Sequence, residues 1–193
     1  MARAQDVNGA LRAASSGAES KAGKYLTFRL AAEEYGLEIL KVREIIGLMD
    51  ITKVPRTPPY IRGVINLRGK VIPVLDLRSK FGMDNRADTE ETCIIVVEVV
   101  GKDSSVQMGI LVDAVSEVLD IQDGDIEEAP SFGGNVNTDF ILGMGKVKNE
   151  VKILLDIDKV LTASDVAIAD KVDQAPPAVE GGMVAEEAAE SAQ

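Results

Sequence analysis

The chain has 193 residues, of which 46% are apolar but only 4% aromatic, and it contains no Trp and no His. Lys and Arg number 21 against 32 Asp and Glu, and the resulting net charge of −11 disfavours nucleic acid or an anionic membrane as a partner. Without histidine, and with Cys93 as its single cysteine, the chain lacks the usual general base and zinc ligands, so we expect no cofactor and no metal.

The N-terminal segment, residues 1–23, is rich in Ala, Ser and Gly and carries scattered charges without a long apolar stretch. This composition predicts a disordered segment. It does not have the pattern of a signal peptide or membrane anchor, so we expect a cytoplasmic protein with no direct membrane insertion.

The next residues have the pattern of β-strands. Apolar and polar residues alternate over 25–30 and again over 35–40, which predicts a hairpin. The alternation breaks after Lys41, where a bulge or bend is expected. A second hairpin is predicted over 64–67 and 71–75, with Arg68 and Gly69 at its tip. Asp76 follows this hairpin at a position where a carboxylate can cap a short helix.

The same elements occur a second time. Residues 36–46 resemble 109–119 at a shift of 73, and Gly63 and its neighbours recur around Gly143 at a shift of 80. The second break in alternation falls at Ala114, the second tip at Lys148 and Asn149, and the second cap position at Asp156. Each copy supplies about five short strands, the number typical of a small closed barrel.

The repeat suggests a division of the chain. We expect a first unit at about 24–91, ending in the polar stretch 82–91, and a second unit at about 92–163. Neither half has much core of its own, so the units are expected to pack together and to unfold together. The remaining residues, 164–193, are acidic and of low complexity, which predicts a disordered tail.

Few residues could perform catalysis. Two carboxylates can act without histidine, and Glu44 with its repeat equivalent Glu117 is the candidate pair for an acidic-site hydrolase. A solvated strand face is the competing interpretation of these two residues. A receiver domain with Asp76 as phosphoacceptor is excluded because no stretch of ten or more residues has helical apolar periodicity. A chain rich in strands and poor in reactive groups is expected to work by binding.

The motifs resemble one known family. Residues 33–45 (EEYGLEILKVREI) and 57–81 (TPPYIRGVINLRGKVIPVLDLRSKF) are similar to the chemotaxis coupling proteins of the CheW family, and the similarity extends over about 24–163. The resemblance implies an all-β fold of two SH3-like five-stranded barrels packed together, with short helices and disordered termini. It also implies a non-enzymatic adaptor that couples methyl-accepting chemoreceptors to a CheA-type histidine kinase in membrane-associated arrays.

The resemblance assigns roles to particular residues. Contacts to the cytoplasmic receptor tip are expected at Val42, Glu44 and Arg68, with Val115 and Val118 on the facing second barrel. Core packing is the alternative role for Val42 and Val115, and simple solvation is the alternative for Arg68.

Contacts to the kinase are expected from the second barrel, at Phe132 and Glu127. Phe132 is either an interface anchor or a plug of the barrel mouth. Glu127 departs from the family, since some members carry a basic residue at this position. A paralogous adaptor of a non-flagellar pathway, controlling pili or gene expression, is the alternative function.

Overall fold

The computed structural model describes residues 20–101, 105–131 and 137–173. Strands dominate these residues, as the alternating sequence predicts. The strands are β1 (Gly23–Leu30), β2 (Glu33–Glu38), β3 (Val42–Gly47), β4 (Ile61–Leu67), β5 (Lys70–Asp76), β6 (Cys93–Val100), β7 (Ser105–Val112), β8 (Ala114–Ile121), β9 (Ile126–Glu127), β10 (Ile141–Val147) and β11 (Glu150–Leu155). The α-helices are α1 (Leu77–Lys80), α2 (Ile157–Val160) and α3 (Ala163–Asp173).

The strands form two sheets, and each sheet closes into a small barrel. Barrel 1 has five strands in the order β3-β6-β7-β5-β4, and Thr52, after β3, closes it by pairing with Val64 of β4. Barrel 2 has six strands in the order β8-β1-β2-β11-β10-β9, where the two-residue strand β9 takes the closing role. The predicted all-β fold of two SH3-like barrels is confirmed, with one short closing strand more than expected in barrel 2.

Each barrel is assembled from both halves of the chain. β1 and β2 join β8 to β11 in barrel 2, while β6 and β7 join β3 to β5 in barrel 1. The predicted division into a first barrel at 24–91 and a second at 92–163 is corrected accordingly, and residues 82–91 connect two elements of barrel 1. The reason is that the two copies have equivalent strands, so the local pattern does not specify which copy a strand pairs with.

The described strands pass between the barrels at two crossovers. The first is the 3₁₀ turn Ile39–Lys41, between β2 and β3, and the second is Asp113, between β7 and β8. The strand after each crossover contains a bulge, at Val42 to Glu44 in β3 and at Val115 to Val118 in β8. The predicted bends are therefore confirmed, and they lie where the chain enters the other barrel.

The largest apolar core lies between the barrels. Phe28 and Leu37 of barrel 2 contribute to it together with Ile95 and Val97 of barrel 1, and all four are fully buried. A smaller cluster, which includes Ile94 and Val96, fills barrel 1, and another around Tyr25, Ile121 and Leu154 fills barrel 2. Strand β6 is thus buried on both faces. Because the barrels share their main core, we expect a single cooperative unfolding transition.

Two repeat-equivalent glycines lie at the seams that close the barrels. A Cβ on Gly63, whose φ is 143°, would lie 2.1 Å from the Thr52 carbonyl oxygen. A Cβ on Gly143 would lie 2.6 Å from Cγ2 of Ile126 and 3.0 Å from the Glu127 carbonyl oxygen. Glycine is therefore required where the closing segment approaches the strand backbone.

The short helices confirm one predicted cap and correct the other. The Asp76 carboxylate accepts a hydrogen bond from the Ser79 N–H at 3.1 Å and caps α1. The Asp156 side chain makes no capping bond to α2 and instead forms an ion pair with Lys159 at 3.1 Å.

Part of the predicted disordered tail is helical. Residues 163–173 form α3, which packs on β5 and β7 and buries Ala169 in the core between the barrels. Val166, three residues before Ala169, packs against the same core, since residues at this spacing share a helix face. The rest of the tail and residues 1–19 lie outside the described residues. Before β1, the backbone N–H groups of Lys21 and Ala22 donate to Asp123.

Candidate functional site

The structure brings Arg68 and Glu44 together on barrel 1. Arg68 stands at the tip between β4 and β5, and its Nη1 and Nη2 donate to the two Glu44 carboxylate oxygens at 3.0 and 2.9 Å. The Arg68 side chain is 76% exposed, whereas that of Glu44 is 28% exposed. This two-bond geometry orients the guanidinium plane and presents it to solvent.

The backbone at this tip is restricted. Arg68 and Gly69 have φ values of 54° and 88°, so both central residues of the turn are left-handed, as in the tight turns that suit twisted hairpins. A non-glycine residue in this region costs about 1 kcal/mol. Arg68 is therefore held by the hairpin in a conformation that it does not prefer.

Val42 and Val115 occupy equivalent positions at the starts of the two bulges. Val42 is opposite Val97 of β6, and Val115 is opposite Phe28 of β1. Both side chains are half-buried and pack against the core between the barrels. Core packing is thus one role of both valines, and part of each side chain remains accessible.

Val118 is the exposed valine of this set, with 48% of its surface accessible. The bulge before it is held by a residue that the sequence did not indicate. The hydroxyl of the buried Thr27 donates to the Glu117 carbonyl oxygen at 2.8 Å and accepts from the Glu117 N–H at 3.2 Å. Thr27 therefore satisfies the backbone groups that the bulge removes from the strand ladder.

A polar network lies beside this bulge and joins three strands of barrel 2. Glu34 of β2 accepts hydrogen bonds from Lys152 of β11 and, at 2.9 Å, from the Ser116 hydroxyl of β8. The Lys152 hydrogen bond, assisted by that of Ser116, lowers the pKa of Glu34 although partial burial works against it. Burial acts to lower the pKa of Lys152, but hydrogen bonds to Glu150 and Glu34 outweigh it and raise that pKa. Both groups stay charged at neutral pH.

The residues predicted to meet the kinase lie around the closing strand of barrel 2. Glu127 belongs to β9, where it is opposite Met144 of β10, and its exposed carboxylate pairs with Lys146. The Glu127 carboxylate thus has a cation of the same chain as its partner. Phe132 lies outside the described residues, so its role as anchor or plug stays a prediction.

The arrangement of the carboxylates does not favour the hydrolase hypothesis. Glu44 and Glu117 belong to different barrels, and Glu44 is already paired with Arg68. Within the described ranges, no group of three or more acidic or cysteine side chains could hold a metal ion. No helix in the same ranges combines the length and the apolar character needed to cross a membrane.

A buried polar cluster around Asp165 fixes α3 and was not anticipated from the sequence. The fully buried Asp165 accepts hydrogen bonds from the Tyr60 hydroxyl at 2.8 Å, from Lys80 Nζ at 2.6 Å and from the Thr162 N–H at 2.8 Å. Burial acts to raise the pKa of Asp165, but these hydrogen bonds outweigh it and the pKa is lowered. The sequence signal was weak, a threonine three residues before an acidic residue in an apolar run.

The chain thus folds into two closed barrels that share a core, with charged tips and half-buried valines near their junction. Residues 24–165 match the family described as the CheW-like domain. The chain belongs to this family. It is 38% identical to the chemotaxis protein CheW of Klebsiella aerogenes, over 80% of this chain and 90% of that protein.

Two further relatives support this assignment. CheW of Bacillus subtilis is 34% identical, over 80% of this chain and 98% of that protein. The crystal structure of the scaffolding protein CheW from Thermoanaerobacter tengcongensis superposes with a TM-score of 0.65 at 38% identity, covering 75% of this chain and 95% of that chain.

Proposed function

We propose that this protein is a non-enzymatic scaffold that holds a CheA-type histidine kinase against the cytoplasmic tips of methyl-accepting chemoreceptors. The observation that carries this proposal is the family match over residues 24–165, which spans both barrels. The relatives compared above bear chemotaxis names, so a pathway for pili or gene expression is not favoured. The protein would then reside in the cytoplasm at receptor arrays.

The receptor contact is proposed at the Arg68–Glu44 pair and at Val42, Val115 and Val118. An exposed charge pair beside half-buried aliphatic residues is suited to a helical receptor tip, because apolar contacts supply affinity while charges at the rim select the partner. The kinase contact is proposed on barrel 2, at Glu127 and Phe132. Receptor and kinase would therefore bind to different parts of the molecule at the same time.

The test is reconstitution of the kinase, a receptor fragment and this protein. We expect the wild-type protein to give receptor-controlled autophosphorylation. Arg68→Glu should weaken receptor association by about tenfold or more, since it removes the paired cation and places two carboxylates side by side. The kinase affinity and the unfolding midpoint should remain near wild type, because the Arg68 side chain is mostly exposed.

The matched control is Lys148→Glu, which makes the same charge change at the equivalent tip of barrel 2. It should leave receptor association within about twofold of wild type. A wild-type protein without effect on the kinase would reject the scaffold function. Equal losses in Arg68→Glu and Lys148→Glu would reject the proposed receptor face alone.

A further inference from the structure

An ion pair ties the second crossover to elements of both barrels. Arg78 of α1, which follows β5 of barrel 1, donates from Nη1 to Oδ2 of Asp113 at 2.6 Å. The same oxygen accepts the Ala31 N–H at 2.8 Å, and Ala31 is in the turn between β1 and β2 of barrel 2. The Arg78 and Asp113 side chains are only 13% and 17% exposed. Asp113 therefore joins a helix of barrel 1 to a hairpin of barrel 2.

A second ion pair does the same at the first crossover. Lys41 Nζ donates to Oδ2 of Asp158 in α2 at 2.6 Å, and α2 follows β11 of barrel 2. The other oxygen, Oδ1, accepts the N–H of Val100 in β6 of barrel 1 at 3.4 Å. This pair is more accessible, at 30% for Lys41 and 36% for Asp158. The hydrogen bond to Asp158 also raises the pKa of Lys41, so its charge persists at neutral pH.

The two pairs lie at corresponding places in the repeat but have opposite polarity. Arg78 and Asp158 correspond at the shift of 80 residues, and Lys41 corresponds to Ala114, next to Asp113, at the shift of 73. In one pair the crossover carries the acid, and in the other it carries the base. The two copies thus provide the same connection at both crossovers through different residues.

We infer that these two ion pairs, the crossover clamps, fix the orientation of barrel 1 relative to barrel 2 and carry the coupling between the receptor and kinase sites. This inference rests on the proposed function. Arg78, Asp113, Lys41 and Asp158 are positioning residues, since none of them belongs to the proposed receptor or kinase sets. They determine where the receptor surface lies relative to the kinase surface.

The shared core brings the barrels together, and its close packing limits the angles between them. The clamps add directional contacts to that packing. Charge-assisted hydrogen bonds have defined distances and directions and are weakened by small rotations. The clamps lie at the two points where the chain crosses between the barrels, where a rotation would move their partners apart.

The experiment compares clamp variants of the full chain in binding, coupling and barrel orientation. Asp113→Asn keeps the shape and one acceptor but removes the charge, and Lys41→Glu reverses one charge of the other clamp. Spin labels at Lys53→Cys in barrel 1 and Asp125→Cys in barrel 2, both exposed positions, report the distance between the barrels by pulsed electron resonance. The control is Lys24→Glu, because Lys24 pairs with Asp120 at 3.5 Å inside barrel 2.

We expect both clamp variants to broaden the distance distribution and to reduce receptor control of the kinase, about fivefold or more for the less accessible Asp113. Separate binding of the receptor fragment and of the kinase should stay within about twofold of wild type. The double variant Lys41→Glu with Asp158→Lys restores the ion pair but not the acceptor for the Val100 N–H. It should therefore recover part of both readouts, which a loss of folding would not allow. Lys24→Glu should behave as wild type.

Unchanged distances and unchanged coupling in both clamp variants would overturn the inference. An equal effect of Lys24→Glu, or failure of the charge-exchanged double variant to recover, would also overturn it, since the effect would then be general. If the wild-type protein shows no coupling, the proposed function fails, whereas the spin-label distances still decide whether the clamps orient the barrels.

Discussion

At the hairpin tip of barrel 1, Arg68 holds Glu44 by two hydrogen bonds, whereas the equivalent residues of barrel 2, Lys148 and Glu117, form no ion pair within the described residues. The two tips have the same backbone, since Lys148 and Asn149 also have positive φ values. The difference lies in the side chains, because guanidinium matches a carboxylate with two parallel bonds and an ammonium does not. The two copies of the turn thus have the same backbone conformation but carry different side chains at their tips.

The sides of the barrels differ as well. Helix α3 packs on β5 and β7 of barrel 1 and is held by the Tyr60 hydroxyl through Asp165. The equivalent of Tyr60 in barrel 2 is Phe140, which has no hydroxyl and stacks on Phe81 with ring centroids 5.4 Å apart. Barrel 1 is therefore covered at this position by α3, which hydrogen bonds hold in place, whereas barrel 2 has stacked aromatic rings there. The repeat therefore preserves the strands, while the side chains on the surfaces of the two barrels differ.

The largest effect of a substitution on stability, and the largest difference between the barrels in that effect, is expected at the glycines of the two seams. Gly63→Ala should lower the free energy of unfolding by about 3 kcal/mol, because it adds strain at positive φ to a clash with the Thr52 backbone. Gly143→Ala should cost about 1 to 2 kcal/mol, since its closest contact is the Ile126 side chain, which can move. Urea unfolding measures both.

The control for this pair is Gly47→Ala in β3. A Cβ at Gly47 meets nothing within 4 Å, so the stability should change by about 0.5 kcal/mol or less. A smaller cost at Gly63 than at Gly143 would contradict the view that barrel 1 is closed by direct backbone contact.

An intermediate effect is expected at α3. Asp165→Ala should destabilise the protein by about 2 to 3 kcal/mol at pH 7, because it leaves the Lys80 ammonium without its buried partner. The pKa of Asp165 is lowered in the folded state, so its contribution is complete above the unfolded value of about 3.9 and is lost as pH falls through the folded value.

The difference between the wild type and Asp165→Ala should therefore shrink below about pH 4. Urea midpoints from pH 3 to 7 test this sign. Glu90→Ala, which removes an exposed carboxylate, is the control and should change little at any pH. A difference that grows in acid would show that Asp165 is not the charged group holding α3.

The smallest effect is expected at the two tips. A double-mutant cycle on Arg68 and Glu44 should give a coupling energy of about 0.5 kcal/mol, since the arginine is mostly exposed. The same cycle on Lys148 and Glu117 should give about zero. Lys148→Arg should raise the coupling energy with Glu117 toward that of Arg68 with Glu44. Equal coupling energies at the two tips of the wild-type protein would contradict the distinction between them.

Much of this architecture could be predicted from local patterns. Alternation located the strands, the recurrence of Gly63 at Gly143 indicated two units, and the Asp76 cap and both positive-φ tips followed from residue type. The receptor set was assigned by family resemblance and remains a proposal. Local patterns did not locate α3, whose short apolar stripe adjoins a low-complexity tail and gains its stability from docking.

The sequence by itself determined the repeat, because two segments of the chain have similar residues in the same order. It also determined the strands, the bulges and the turns, because each of these depends on neighbouring residues. Only the tertiary structure decided that β1 and β2 cross to the second copy's strands and that Arg78 meets Asp113 while Lys41 meets Asp158. The physical reason is that equivalent strands present equivalent edges. Their pairing is selected by the burial and hydrogen bonds of the whole molecule, which no local stretch contains.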